Sequence, residues 1–187
     1  MDLGEVFRRI SGALSTSQVP YMLTGSFASS YYEALRATQD IDIVIAPTLE
    51  QLRHLVQVLQ EMDYYADQNA ASQACRELSM FNVLDNKTGW KIDFIFRKSR
   101  PFSLEEFRRR RTTMFEGVPL FVATAEDVIL AKLEWAKMGE SARQIEDVSA
   151  IFKKQHKVVD RPYIEKWVEE LGLHTEWSRA RKSAGLE

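Results

Sequence analysis

Apolar positions along the chain recur with two periods, and the alternation between them lays out the elements. Leu3, Val6, Phe7, Ile10 and Leu14 fall three or four residues apart, which predicts an amphipathic helix over residues 2–15. Val19-Pro20 breaks that pattern, and Tyr21-Met22-Leu23 reads as a short strand. Thr24-Gly25-Ser26 then turns into a helix over 27–36 with Phe27, Ala28, Tyr31, Ala34 and Leu35 inward. Ile41, Ile43 and Ile45 alternate with Asp40, Asp42 and Val44, the period-two pattern of a half-buried strand, and Pro47 ends it.

A helix over 48–62 follows, with Thr48 as N-cap, Gln51 at the capping-box position and Leu52, Leu55, Val56 and Leu59 inward. Tyr64-Tyr65 begins a strand, and residues 67–76, whose periodicity is weak, read as a loop. Ser79–Leu84 and Trp90–Phe96 flank a Gly-containing turn and predict a β-hairpin. A helix starts at Ser103, and a shorter hairpin turns at Glu116-Gly117. From Thr124 onward the pattern is helical only. Thr124 with Asp127 resembles a capping box, Gly139 separates two helices, Asp160 with Pro162 opens another, and a last one follows His174. No repeat or low-complexity segment appears. The expected organisation is an α/β (α+β) portion over residues 1–123, a mixed sheet flanked by helices, and a C-terminal helical subdomain over 124–187.

Composition narrows this picture only a little. The chain has 187 residues, 45% of them hydrophobic and 11% aromatic, which is ample for a core. A formal charge of −2 offers no global attraction to nucleic acid or membrane, so such contact needs a local patch. The richest patch is Arg97 to Arg111, with seven basic residues against Glu105 and Glu106. It suits an RNA backbone or a triphosphate, and equally the solvated C-terminal end of a helix. One cysteine, Cys75, excludes an intrachain disulfide and fits a reducing, cytoplasmic setting. No secretory leader pattern and no apolar run of membrane-spanning length is seen. Leu186-Glu187 carries no structural weight. His54, His156 and His174 lack the paired spacing of a zinc site. Tyr31, Tyr32, Tyr64, Tyr65, Trp90 and Phe94 suit core packing beside a sheet better than base stacking.

The acidic residues change the picture more. Residues two apart on a strand point to one side, about 6.5 to 7 Å apart, so Asp40 and Asp42 project together. Asp93 projects from the strand Lys91–Phe96 on the side opposite Ile92, Phe94 and Phe96. If those strands are neighbours, three carboxylates converge, and their mutual repulsion calls for a cation. All-oxygen ligands suit Mg²⁺, with substrate phosphates completing the shell, and a pair of such ions about 4 Å apart serves phosphoryl chemistry. Gly25-Ser26, ahead of a helix, supplies close backbone approach, amide donors and a hydroxyl for an anion.

The run GSFASSYYEALRATQDIDIVI followed by KIDFIF resembles the nucleotidyltransferase (polymerase-β-like) superfamily, nearest to minimal bacterial members related to AbiEii-type toxins. Thr24 stands where that pattern has an apolar residue. The segment Arg36 to Gln39 and the tail with Lys132, Arg143 and Asp147 share the likeness. The resemblance implies that Asp40 and Asp42 bind both of two Mg²⁺ (or Mn²⁺) ions. It implies that Asp93 joins the ion activating an acceptor hydroxyl, and that Gly25 and Ser26 hold the β- and γ-phosphates. Thr38 and Lys132 become candidates for nucleotide contact, whereas Arg143 and Asp147, four apart on a helix, equally suit a structural ion pair. The implied reaction moves a nucleoside monophosphate from a nucleoside triphosphate to a protein, tRNA or small-molecule hydroxyl. The alternative is a non-catalytic module of the same fold, such as a toxin–antitoxin component with a cognate partner.

Overall fold

The computed structural model describes residues 3–32, 40–139 and 141–186. Among them the chain forms two compact units, one of residues 3–27 and 40–122, the other of residues 28–32 and 123–186. The first holds a seven-stranded mixed sheet: β1 (Tyr21–Leu23), β2 (Asp40–Ile45), β3 (Tyr64–Tyr65), β4 (Met80–Asp85), β5 (Lys91–Phe96), β6 (Arg111–Phe115) and β7 (Val118–Val122). Their order is β3-β4-β5-β2-β1-β7-β6. The β1–β7 and β2–β5 pairings are parallel and the rest antiparallel.

Both hairpins form where turn chemistry places them. Glu116 and Gly117 adopt φ of 48° and 75°, the left-handed pair that a two-residue β-hairpin requires. In β2 and β5 the isoleucines and phenylalanines on one side are buried, which sets the register of the two strands.

The helices of this unit are α1 (Leu3–Thr16), the start of α2 (Gly25–Tyr32), α3 (Leu49–Glu61), α4 (Gln68–Glu77) and α5 (Pro101–Arg109). Thr48 and Gln51 cap α3 reciprocally. Phe7 of α1 meets Phe27 and Phe115 edge-on at 5.4 and 5.0 Å, and Phe27 also meets Trp90 at 5.7 Å. The first turn of α2 is thereby anchored to α1, to β6 and to the mouth of the β4–β5 hairpin.

Two expectations are revised. Residues 68–77 are helical rather than a loop: Asp67 caps the helix by accepting from Ala70 N, and only Ala71 and Ala74 are buried. Alanine and glutamine favour the helix intrinsically, while so small an apolar stripe leaves almost no periodicity to read. Helix α5 begins two residues earlier than Ser103, because Pro101 enters its first turn with φ already suitable.

The second unit packs α6 (Ala125–Gly139) against α7 (Ala142–Gln155), α8 (Arg161–Leu171) and α9 (His174–Ala184). The fully buried Asp127 receives hydroxyl hydrogen bonds from Thr124 and Tyr163, each 2.6 Å. Glu126 accepts from Asp160 N, so the first turn of α6 organises the first turn of α8. Phe152 of α7 meets Trp177 of α9 at 4.8 Å. Among the described residues no helix is long and apolar enough to cross a membrane.

A buried ion pair joins three elements of the first unit. Arg9 of α1 donates to the Asp85 carboxylate at the end of β4 and to Met62 O at the end of α3, while its guanidinium lies over the Tyr64 ring. Burial pushes the Asp85 carboxyl upward, but hydrogen bonds from Arg9, Thr88 and Lys87 outweigh it and hold the group below the ordinary Asp value. With its folded value depressed, this pair stabilises the fold above about pH 3.9 and loses that contribution as pH falls through the lowered value. Arg9→Met should cost about 3–5 kcal/mol at pH 7 in urea denaturation, by leaving Asp85 buried and unpaired. The gap from the parent should shrink as the pH is lowered toward 3; a gap independent of pH would contradict this role.

Candidate functional site

The parallel pairing of β2 with β5 builds the site. Its register sets Asp42 beside Asp93 and Asp40 beside Lys91. Side chains at paired positions share a face, and Asp40 lies two residues from Asp42, so all three carboxylates project on the same side of the sheet. Antiparallel pairing of β4 adds Asn82 opposite Asp93, and its Nδ2 donates to Asp93 Oδ1. The Asp93 side chain is 9% exposed and the Asp40 side chain 56%, so the acidic row runs from a buried end to an open one.

Lys91 accompanies the carboxylates. Its Nζ lies 3.0 Å from Asp93 Oδ2 and 3.8 Å from Asp40 Oδ1. The hydrogen bond to Asp93 raises the Lys91 pKa above its ordinary value, with the charges of Asp93, Asp40 and Asp42 adding to it against a smaller desolvation effect. The ammonium marks where this cluster draws positive charge. In kind, the donors suit a hard divalent cation, since all are carboxylate oxygens. As they stand, no group of three acidic, histidine or cysteine side chains among the described residues is gathered closely enough to enclose an ion. Lys91 and Asn82 hold Asp93 instead.

Gly25 closes the other side. Thr24 N donates to Asp42 O, extending the β1–β2 ladder by one residue, and Gly25 then takes φ of 63° as α2 begins. A Cβ on Gly25 would lie 2.6 Å from Asp42 Cγ and nearer still to Oδ2. Glycine is thus required twice, for its backbone conformation and for the close approach of a carboxylate. Ser26 follows, half-buried, in the first turn of an eight-residue helix whose amide end faces away from its own hydrogen-bond ladder.

Of the other candidates, Thr38 lies outside the described residues. Lys132 belongs to the second unit, where it is 5% exposed and donates to Asp147 Oδ2 at 2.9 Å and Gln144 Oε1 at 3.1 Å. Asp147 thus pairs across helices with Lys132. The basic stretch is dispersed into local roles: Arg108 pairs with Glu105, Arg100 donates to Ser103, and Arg97 and Arg110 lie over the Phe107 ring. Sequence reasoning did not single out Asn82 or Lys91. The hairpin turn, which fixes the β4–β5 register, was the signal that leads to Asn82.

No family model matches the sequence, and no curated protein matches it. Solved structures do resemble it. The solution structure of the antibiotic-resistance factor ANT(2'')-Ia superposes with a TM-score of 0.61 at 11% identity over 100% of both chains. The crystal structure of ANT(2'')-Ia in complex with adenylyl-2''-tobramycin gives 0.57 at 12% identity, over 92% of this chain and 97% of that one. An antigenic nucleotidyltransferase-like protein from Paracoccidioides brasiliensis gives 0.57 at 16% identity, over 95% and 91%. The chain therefore has the nucleotidyltransferase fold, a mixed α/β architecture.

Gly25→Ala should lower stability by about 1–3 kcal/mol in chemical denaturation, from left-handed strain plus displacement of Asp42. Gly12→Ala, at a helical position where a Cβ meets nothing within 4 Å, should be neutral or stabilising. Equal effects at the two glycines would show that the Asp42 contact carries no special constraint.

Proposed function

We propose that this protein is a divalent-cation-dependent nucleotidyltransferase, moving a nucleoside monophosphate from a nucleoside triphosphate to an acceptor hydroxyl. The observation that carries the reading is the in-register pairing of Asp42 with Asp93, with Asp40 on the same face and Gly25 against the Asp42 carboxylate. In this reading Asp40, Asp42 and Asp93 hold Mg²⁺, or Mn²⁺ in its place, after Lys91 swings out on its flexible stem. Bound ions of this kind lower the pKa of an attacking hydroxyl and offset charge on departing pyrophosphate.

The chain's own residues orient and bind. Amides at the start of α2 and the Ser26 hydroxyl take the β- and γ-phosphates, and Asn82 keeps the Asp93 carboxylate aligned. The acceptor hydroxyl gives its proton to solvent and its oxygen bonds to the α-phosphorus as the bond from that phosphorus to the β-phosphate bridge breaks, releasing pyrophosphate. Among protein, tRNA and small-molecule acceptors, a small molecule is the first to test, because the neighbouring ANT(2'')-Ia structure contains adenylyl-2''-tobramycin.

A non-catalytic component of the same fold, of the AbiEii or toxin–antitoxin kind, has one observation on its side. Lys91 already neutralises part of the acidic row. We prefer the enzyme because Lys91 is half-exposed and mobile in kind, whereas the Gly25–Asp42 fit is backbone geometry that neutralisation alone does not need.

Incubation with each labelled nucleoside triphosphate, Mg²⁺ and a pool of acceptors should give label transfer and pyrophosphate release. Asp42→Ala should lower turnover by more than about 10²-fold while the fold is retained. Nucleotide binding without transfer to any acceptor would move the balance to the non-catalytic module; neither binding nor transfer would sink both the enzyme and its site.

Mg²⁺ at a hundred times its dissociation constant should raise the unfolding free energy by about 2.7 kcal/mol. Asp93→Asn should abolish that increment, and an increment unchanged by this substitution would place the ion elsewhere.

A further inference from the structure

A cavity opens in the sheet-bearing unit at the other end of β1 from the carboxylates. Its volume is about 640 Å³, within the range of about 300–1,000 Å³ that accommodates a small organic ligand. Tyr21, at the start of β1, pairs with Ile45, while the Asp42 backbone meets Thr24 just past the end of β1. The cavity therefore shares no lining residue with Gly25, Asp40, Asp42 or Asp93.

Its walls combine aromatic surface with a cation that has no carboxylate partner among the described residues. Tyr21 and Phe121 meet edge-on at 5.5 Å. Arg110 lies over the rings of Phe107 and Phe121, at 4.2 and 5.2 Å, and donates from one terminal nitrogen to Phe107 O. Its Nε is buried without a hydrogen-bond partner, as is that of Arg97, which lies over the same Phe107 ring at 5.3 Å. Among the described residues no carboxylate pairs with either guanidinium. Burial and then the neighbouring charge of Arg97 depress the Arg110 pKa, the signature of a cation short of an anion.

The helix wall points the same way. Arg8, Ser11, Gly12 and Ser15 of α1 line the cavity at helical spacing. Gly12 sits in mid-helix, where glycine costs about 0.5–1 kcal/mol relative to alanine, although a Cβ there meets nothing within 4 Å. The fold does not demand glycine at this position. An open cavity would benefit from it.

We propose that this cavity binds a small organic oxyanion, a carboxylate, sulfonate or phosphate ester on a flat apolar body. Arg110 receives the anion, and Tyr21 and Phe121 pack the apolar part. Ser15 offers a hydroxyl donor, the Ser11 hydroxyl being given to Arg8 O, and Arg8, partly engaged by Glu5, adds positive charge at the rim.

The probe is 8-anilinonaphthalene-1-sulfonate, titrated into the full chain and followed by fluorescence and calorimetry. Expected is saturable one-to-one binding, at least tenfold weaker for the uncharged analogue N-phenyl-1-naphthylamine. Arg110→Gln should weaken sulfonate binding at least tenfold. Gly12→Leu, which fills the cavity from an exposed helical position, should do the same with an unchanged or higher melting temperature, and so tests the site even if Arg110→Gln fails to fold. Absence of saturable binding, equal affinity for the uncharged analogue, or undiminished binding in the folded Gly12→Leu variant would each overturn the proposal.

Discussion

The parallel pairing of β2 with β5 is the contact on which the candidate site depends. A shift of one residue would turn the isoleucines of β2 or the phenylalanines of β5 toward the polar face and separate Asp42 from Asp93. The cost of exposing Ile41, Ile43, Ile92 and Phe94, all buried, holds the register against the repulsion of the carboxylates on the other face. The hydrophobic face thus supplies the free energy, and the polar face holds groups that would not stay together alone.

Around that pairing, two kinds of constraint keep the acids in place. One is steric: Gly25 leaves space for Asp42, and Phe27, locked among Phe7, Phe115 and Trp90, keeps the start of α2 from moving away. The other is electrostatic: Lys91 and Asn82 satisfy Asp93 from its own strand and the next. A buried carboxylate without such partners would carry a large desolvation cost. The two constraints differ in kind, since the glycine contact is rigid while a lysine ammonium can leave.

The guanidiniums of Arg110 and Arg97 stand in contrast to the buried charges of Arg9 and Lys132. Arg9 has Asp85, and Lys132 has Asp147. Each pair ties separate helices or strands together. Among the described residues, Arg110 instead finds aromatic faces and a carbonyl. The basic run from Arg97 to Arg111 therefore does not behave as one patch: Arg97 and Arg110 are drawn to Phe107, Arg100 to Phe102 and Ser103, and Arg108 to Glu105.

The sequence by itself determined most of the elements, because their apolar periodicity, caps and turns are local properties. It also marked Asp40, Asp42, Asp93 and Gly25 as a group, since two acids on alternate positions of an otherwise apolar strand are visible without coordinates. It missed α4, where alanines form the helix without an apolar stripe long enough to register. Only the tertiary structure decided that Asp42 stands beside Asp93, that Gly25 abuts Asp42, and that Lys91 and Asn82 share Asp93. Each of those is a contact between elements distant in sequence, and it follows from strand order and register. The cavity beside Arg110 likewise exists only after α1, β1, β7 and the end of α5 are brought together, so no local pattern announces it.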